Sequence, residues 1–292
     1  MTFQNKAVIV TGGTSGIGRA LVNAFAKDGA KVMFSGRDKA RGAEVEREAG
    51  KSVAFLQTEA RESAAADRLI QACVDRFGRL DVLVNNAGML HRTSTLEATD
   101  EQWLDSMAVN VDSLFFLSRA AARIMKPQGG GVIVNIASEM GKFGNPRSIP
   151  YAVSKAAVIQ MTRAMALDFA QDKIRVVCVA PGGTRTPMLE KSVTAQGFPV
   201  EEGLVRYSTR VPMRRFARMA EVTPAVLFVA SDNATYITGS TVFVDGGTTS
   251  AGPGGKIDEA RPSKPHESPV RNNKKGAAYC GPQGVKGGED LT

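Results

Sequence analysis

The chain has 292 residues, a formal net charge of +8, 43% hydrophobic residues and 23% charged residues. This composition is ordinary for a soluble globular protein, and the chain contains no run of about 18 apolar residues that would span a membrane. The positive charges are scattered among acidic residues, which favours a solvated basic surface over a nucleic-acid-binding face. Three separated cysteines and two histidines indicate neither a disulfide framework nor a metal site, and they suit a cytoplasmic protein.

Strand-like and helix-like segments alternate along the first 250 residues. Apolar runs rich in Val and Ile predict seven strands, at 6–12, 30–36, 52–57, 80–88, 131–138, 174–182 and 240–247. Helix-like periodicity predicts helices at 18–29, 62–78, 100–125, 151–171 and 220–231. The strands show no clean apolar–polar alternation, so we expect both faces of a parallel sheet to be buried. The sequence therefore predicts an α/β fold, a single doubly wound (Rossmann) domain over residues 1–250.

The two ends of the chain differ in character. The first residues lead directly into a strand-like segment and show no signal-peptide pattern. Residues 251–292 contain eight Gly and five Pro and have no apolar period. Such a segment cannot bury enough surface to offset its ordering entropy, so we expect a mobile C-terminal extension.

The glycine-rich stretch "TGGTSGIG" at 11–18 lies between the first predicted strand and the first predicted helix. Glycines at this place let backbone amides approach a pyrophosphate, and the helix N-terminus favours its negative charge. We therefore predict a dinucleotide site that includes Gly12, Thr14, Ser15, Gly16, Ile17 and Gly18.

The tip of the second predicted strand, "FSGRD" at 34–38, bears on the choice of dinucleotide. An acidic residue at this tip would bind the ribose 2′-hydroxyl of NAD, whereas an arginine suits the 2′-phosphate of NADP. Gly36 stands where the acid would be and Arg37 follows it, which favours NADP(H). Asp38 keeps NAD(H) possible.

The stretch "YAVSK" at 151–155 places Tyr151 and Lys155 on one face of a predicted helix. A cation beside a phenol lowers its pKa from about 10 and makes it a usable acid or base. Ser138, at the end of the fifth predicted strand, can donate a hydrogen bond to a substrate oxygen. Taken alone, the pair also fits a partly buried tyrosine beside an unrelated surface lysine.

Together these motifs resemble the short-chain dehydrogenase/reductase family. The resemblance covers about residues 4–248 and rests on "TGGTSGIG", "NNAG" at 85–88, Asn110, Ser138 and "YAVSK", in that order. It implies an NAD(P)-dependent oxidoreductase in which Tyr151 is the general acid or base and Ser138 orients the carbonyl. It further implies that Lys155 binds the nicotinamide ribose and lowers the pKa of Tyr151, and that Asn110 holds a water in a proton relay.

The same resemblance implies further cofactor contacts and an assembly. The cofactor contacts are Glu59, Ala60, Asn86, Gly88, Pro181, Gly182, Thr184 and Thr186. Glu59 departs from the family pattern, where a shorter Asp is usual, which puts that contact in doubt. Members are usually homotetramers or dimers, and the helices predicted at 100–125 and 151–171 are candidates for the interface.

The resemblance implies that the substrate pocket lies between the segments after Ser138, after Asn86 and after Pro187. The candidate residues of these segments are mostly apolar and favour a hydrophobic ketone or alcohol: Met89, Leu90, His91, Glu139, Met140, Phe143, Met188, Leu189 and Phe198. Among these, His91, Glu139 and Met188 are predicted substrate contacts. Two alternatives stay open, a catalytically silent cofactor-binding regulatory protein and a 3-oxoacyl-thioester reductase that uses the arginines of 206–218.

Overall fold

Seven parallel strands form the central sheet of the computed structural model, which describes residues 2–59 and 61–251. The strands are β1 (Ala7–Thr11), β2 (Lys31–Gly36), β3 (Val53–Gln57), β4 (Val82–Asn85), β5 (Gly131–Ile136), β6 (Ile174–Pro181) and β7 (Thr241–Val244). Their order in the sheet is β3-β2-β1-β4-β5-β6-β7, and every neighbouring pair is parallel. The predicted doubly wound α/β fold is confirmed, and each of the seven strands lies within its predicted run.

Helices cover both faces of the sheet. They are α1 (Gly16–Lys27), α2 (Lys39–Ala49), α3 (Ser63–Phe77), α4 (Asp100–Met107), α5 (Ser113–Met125), α6 (Ile149–Phe169), α7 (Pro187–Thr194), α8 (Val200–Ser208) and α9 (Met219–Ala230). The side chains of β1 alternate between two apolar layers. Ala7 and Ile9 pack in a layer with α3, α5 and α6, whereas Val8 and Val10 pack with α1, α2 and α9.

Three helices were not predicted, namely α2, α7 and α8. The segment of α2 is mostly charged, and within it Gly42 and Val45 are the buried residues. It therefore has too few apolar residues for a helical periodicity to be recognised in the sequence. Its start is fixed instead by a cap, since the Asp38 carboxylate accepts a hydrogen bond from the Arg41 backbone N–H at 3.0 Å. The helices α7 and α8 have eight and nine residues, a length at which periodicity indicates little.

The helix predicted at 100–125 is interrupted. One π-helical turn at Ala108–Asp112 separates α4 from α5, and Asn110 lies within it. Such turns insert an extra residue into a helix and re-aim the side chains beside it. Asn110 is thereby turned inward and is buried.

The topology creates a crevice at the carboxyl edge of the sheet. β1 and β4 are neighbours at the centre of the sheet. The chain continues from β1 to β2 on one side and from β4 to β5 on the other side, so the two connections run in opposite directions. In doubly wound sheets, ligands bind at this switch point.

No helix of the described residues is long and apolar enough to cross a membrane. The tail predicted at 251–292 lies, from residue 252 onward, outside the described residues, and the domain boundary at 250 stays a prediction.

Candidate active site

A cavity of about 330 Å³ opens at this switch point. Its walls come from the segments that follow the first six strands, β1 to β6, together with α6 and α7. The volume lies in the range of small-molecule and cofactor sites. Almost every predicted site residue lines it.

The glycine-rich turn after β1 forms one end of the cavity, and all six of its predicted residues line the wall. Gly12 and Gly16 adopt positive φ angles of 66° and 55°, which side-chain-bearing residues rarely adopt. A Cβ on Gly18 would lie 2.2 Å from the Gly12 carbonyl oxygen, so the helix starts in close contact with the turn. The N-terminus of α1 therefore faces an open, glycine-walled cradle, which fits the pyrophosphate of a dinucleotide.

The tips of β2 and β3 form the next part of the wall, where Arg37 follows β2 and Glu59 follows β3. Asp38 is engaged elsewhere, because its second carboxylate oxygen also lies 3.2 Å from Arg41 Nε. A Cβ on Gly36 would lie 2.6 Å from Thr14 Cγ2, so Thr14 occupies the space of the missing side chain. The predicted contact at Ala60 lies outside the described residues.

Asn86 and Gly88 line the cavity after β4. The Asn86 side-chain amide donates to the Thr11 carbonyl oxygen at 2.9 Å, and its backbone N–H donates to the Thr11 hydroxyl at 3.0 Å. Asn86 thus ties the end of β4 to the end of β1. A Cβ on Gly88 would lie 3.3 Å from Asn110 Oδ1 and 3.4 Å from Lys155 Nζ, so Gly88 lies close to both side chains.

Asn110 lies behind this wall rather than among the lining residues. Its Oδ1 accepts a hydrogen bond from the Met89 N–H at 2.8 Å, and its Nδ2 donates to the Met89 carbonyl at 3.0 Å and to Ser154 Oγ at 2.9 Å. These bonds connect the loop after β4 to α6. The predicted water-holding role of Asn110 stays a prediction.

Ser138, Tyr151 and Lys155 meet in the middle of the cavity. Tyr151 lies in the first turn of α6, and Ser138 follows β5. The Lys155 ammonium donates to the Ile136 carbonyl at 2.9 Å and lies 5.7 Å from the centroid of the Tyr151 ring. Burial lowers the pKa of Lys155 to about 8. One short region of the sheet edge therefore brings the three predicted polar side chains together.

The acidity of Tyr151 depends on burial and on three neighbouring side chains. Burial of the phenol raises the pKa of Tyr151, a hydrogen bond with Ser138 and the charge of Arg92 lower it, and the charge of Glu139 raises it further. The predicted lowering of this pKa by Lys155 stays a prediction. Burial is the largest influence on the pKa of Tyr151, and Ser138, Glu139 and Arg92 are the side chains that modify it.

Glu139 lines the cavity directly beside Ser138. Burial raises the pKa of Glu139 to about 7, Asp245 adds to this rise, and Thr248 and the Gly183 backbone oppose it. Its Oε2 is buried and has no hydrogen-bond partner among the described residues. The cavity therefore holds a carboxyl group that changes charge near neutral pH.

The β6 segment completes the wall with Pro181, Gly182, Thr184 and Thr186, and α7 adds Met188. Four further apolar candidates also line it, namely Met89, Leu90, Met140 and Leu189. Phe143 and Phe198 are not among the lining residues.

The predicted substrate contact at His91 is wrong in placement. His91 does not line the cavity, whereas both of its neighbours, Leu90 and Arg92, do. These residues belong to an irregular loop after β4, and its chain path brings Leu90 and Arg92 to the cavity wall but not His91. Arg92 was missed because a single arginine in a loop has no distinguishing pattern in the sequence.

The arginines of 206–218 lie elsewhere, since none of the five lines the cavity. Arg206 lies 4.8 Å from the Phe198 ring centroid, Arg210 lies 5.9 Å from that of Tyr207, and Arg215 pairs with Glu221 at 2.7 Å. Their predicted use in binding an acyl thioester stays a prediction.

Comparison with known proteins adds to this geometry. A family model described as Enoyl-(Acyl carrier protein) reductase matches residues 12–249. An uncharacterized oxidoreductase of Thermotoga maritima is 41% identical over 252 residues, which are 85% of this chain and 99% of the relative. A 3beta-hydroxysteroid dehydrogenase of Mediterraneibacter gnavus is 37% identical over 265 residues, which are 85% of this chain and 96% of the relative. The crystal structure of levodione reductase superposes with a TM-score of 0.82 at 28% identity, covering 85% of this chain and 99% of that one.

Proposed function

The chain belongs to the short-chain dehydrogenase/reductase family and is an NAD(P)-dependent oxidoreductase, and we propose that it interconverts a ketone and a secondary alcohol with Tyr151 as the general acid or base. The observation that carries the proposal is the position of Tyr151. Its half-buried side chain lines the same cavity as Ser138, Lys155 and the glycine-walled cradle. Proton transfer at this position is within reach of a substrate bound beside the cofactor site.

The cofactor would lie along the wall from the turn after β1 to α6. Gly12 to Gly18 would face the pyrophosphate, Lys155 would hold the nicotinamide ribose, and Pro181 to Thr186 would flank the nicotinamide. When bound, the nicotinamide accepts or supplies the hydride. The protein contributes the position of the reacting carbon and the path of the proton.

The protein's own share of the reaction rests on two side chains. Ser138 would donate a hydrogen bond to the substrate oxygen and fix its distance from the phenol. In reduction Tyr151 would give its proton to that oxygen, and in oxidation the phenolate would take the proton of the alcohol. The apolar residues Met89, Leu90, Met140 and Met188 favour a substrate with a hydrophobic body.

We further propose that NADP(H) is preferred over NAD(H). Arg37 lines the cavity beyond the tip of β2 and can pair with a 2′-phosphate. The acid that follows Arg37 in the sequence, Asp38, already caps α2 and pairs with Arg41, so its carboxylate is less available to bind a ribose hydroxyl.

We also propose a cytoplasmic homo-oligomer, a tetramer or a dimer. Leu104 on α4, Phe115 on α5 and Leu167 on α6 are exposed, and a second copy of the chain would bury them. Cys73 and Cys178 are buried free thiols, as suits a reducing compartment.

The experiment that tests the proposal is a titration of the protein with NADPH and NADH, followed by nicotinamide fluorescence, and then turnover of a panel of ketones and alcohols at saturating cofactor. In Tyr151→Phe we expect unchanged cofactor binding and turnover reduced by ~10²–10⁴-fold, because the acid–base group is removed while the ring remains. Tyr236→Phe is the matched control, since Tyr236 is fully exposed. Cofactor binding by the wild type without turnover of any substrate would favour the regulatory protein, and near-normal turnover in Tyr151→Phe would reject the role of Tyr151.

A further inference from the structure

Arg92 is a half-buried cation at the substrate end of the cavity, and it forms no ion pair with any described residue. Its Nε donates to Ser192 Oγ at 2.8 Å, and its Nη1 donates to Ser148 Oγ at 3.0 Å. Both hydroxyls are buried and neutral. Charged groups removed from water are normally paired, so the missing partner of this guanidinium requires an explanation.

Arg175 is a partly buried arginine of the same chain whose positive charge is offset by backbone carbonyl oxygens. Burial lowers the pKa of both side chains. Arg175, however, donates to the carbonyl oxygens of Val229 at 2.8 Å, Ser231 at 3.0 Å and Ile237 at 3.2 Å, beside the C-terminal end of α9. The negative end of a helix offsets a positive charge. Arg92 has no such set of carbonyls, and three of its five N–H groups have no partner among the described residues.

The position of Arg92 ties it to the reacting atoms. Its partner Ser148 directly precedes α6, and Tyr151 follows three residues later, about 4.5 Å along the helix axis. The charge of Arg92 is near enough to lower the pKa of Tyr151. An anion held by the free N–H groups would therefore lie close to a carbonyl oxygen held by Tyr151 and Ser138.

Resting on the proposed function, we propose that Arg92 binds a carboxylate of the substrate close to the reacting carbon, so that the substrate pair is an apolar hydroxy acid and its oxo acid. The two free N–H groups at the Nη1–Nη2 edge match the two oxygens of a carboxylate. One guanidinium balances one carboxylate, whereas a phosphate dianion would stay half-neutralised. In oxidation, the carbinol carbon loses a hydride to the nicotinamide, its hydroxyl loses a proton to Tyr151, and the carboxylate is unchanged.

The test compares matched substrates that differ only in charge. Racemic 2-hydroxy and 3-hydroxy acids with apolar chains, and their methyl esters, are oxidised by the full-length protein at saturating NADP or NAD. We expect at least one acid to exceed its ester by ~100-fold in kcat/KM, the size of effect of a charge-assisted bidentate pair. In Arg92→Met the ratio of kcat/KM for the acid to kcat/KM for the ester should fall from ~100 to about 1, chiefly through a raised KM for the acid. The loss of the Arg92 charge beside Tyr151 affects the acid and the ester alike and leaves this ratio unchanged.

Two further variants test whether the effect requires the paired N–H groups of Arg92 and whether it is specific to this arginine. Arg92→Lys keeps the charge but not the paired N–H edge, so we expect it to retain part of the preference for the acid. Arg47→Met is the matched control, because Arg47 is an exposed arginine of α2 outside the cavity, and it should leave both substrates unchanged. Unchanged cofactor affinity in each variant confirms that the protein is folded.

The inference is overturned if acids and esters are oxidised equally by the wild type, or if Arg92→Met slows both to the same extent. The second result would make Arg92 a residue that only positions α7 through Ser192. Failure of the proposed function looks different, because then neither member of any pair, nor any ketone, is turned over although cofactor binds.

Discussion

The two ends of the cavity are built differently. The cofactor end, formed by the segments after β1, β2, β3 and β4, is built mainly from backbone. The substrate end, formed by the segments after β5 and β6 and by α6 and α7, is built from side chains. At the cofactor end Gly12 and Gly16 have positive φ angles, and Gly18 contacts the Gly12 carbonyl. At the substrate end Glu139 and Arg92 bring opposite charges toward Tyr151. The first end accepts no added atoms, while the second can change its charge and shape through single side chains.

The difference follows from what each end must bind. Any dinucleotide-binding site needs the features of the cofactor end, whereas the residues of the substrate end depend on the substrate of this chain. A pyrophosphate needs a close approach of backbone N–H groups, and glycine is the residue type that allows it. A substrate can be recognised in many ways, so the residues at that end vary in type and are drawn from several loops. Substitutions should therefore act through steric exclusion at the cofactor end and through charge at the substrate end.

The largest expected effect on cofactor binding is in Gly18→Ala. The added methyl group would lie 2.2 Å from the Gly12 carbonyl oxygen and 2.6 Å from Asn86 Nδ2, and the backbone oxygen cannot move away cheaply. We expect the dissociation constants of NADPH and NADH to rise together by ~100-fold, as follows from an overpacked contact. Fluorescence titration of the folded variant measures this.

Gly144→Ala is the control for that variant, because a Cβ on Gly144 would meet no atom within 4 Å. It should bind both cofactors as the wild type does. Equal affinities of Gly18→Ala and Gly144→Ala would contradict the view that the cofactor end excludes added atoms.

A smaller effect is expected at the tip of β2, where the cofactor end does use a side chain. Arg37→Gln should raise the dissociation constant of NADPH by about 10-fold and leave that of NADH unchanged, because the charge-assisted bond to the 2′-phosphate is lost. Arg47→Gln, at the far end of α2, is the control. If the dissociation constants of NADPH and NADH rise equally in Arg37→Gln, Arg37 does not bind the 2′-phosphate, and the proposed preference for NADP(H) is wrong.

The same division explains how much of the molecule the sequence could predict. The strands were predictable because buried parallel strands are continuous apolar runs, and residues at their carboxyl ends, such as Asn86 and Ser138, must converge on one edge. The glycines of the turn after β1 were predictable because their residue type itself reports the backbone conformation.

The side chains of the substrate end could not be predicted in this way. The partners of Arg92, Ser148 and Ser192, are 56 and 100 residues away along the chain, so only the folded structure shows that they meet. The π-helical turn that buries Asn110 leaves no pattern in an otherwise regular helical segment. His91 was chosen over Arg92 because the chain path of an irregular loop, not residue type, decides which side chain enters the cavity.

The smallest expected effect is also the most specific to this chain, and it concerns Glu139. Below pH 7 its carboxyl is neutral and exerts little influence, whereas above pH 7 its charge raises the pKa of Tyr151 and disfavours the phenolate that oxidation requires. In Glu139→Gln this charge is absent at every pH. We expect oxidation rates equal to the wild type near pH 6 and about threefold higher near pH 8, the size of a partly screened interaction between unit charges.

The pH dependence of stability should change in the same variant. The pKa of Glu139 is raised on folding from 4.5 to about 7, so the folded state holds a proton that the unfolded state has lost. Its contribution to stability is present below pH 4.5 and disappears as the pH rises to about 7. Denaturant unfolding between these values should therefore show a shallower decline in Glu139→Gln than in the wild type or in the exposed control Glu202→Gln. If the oxidation rate and the free energy of unfolding depend on pH in the same way in all three proteins, Glu139 does not titrate in the cavity. Arg92 would then be the charged side chain that distinguishes the substrate end from the cofactor end.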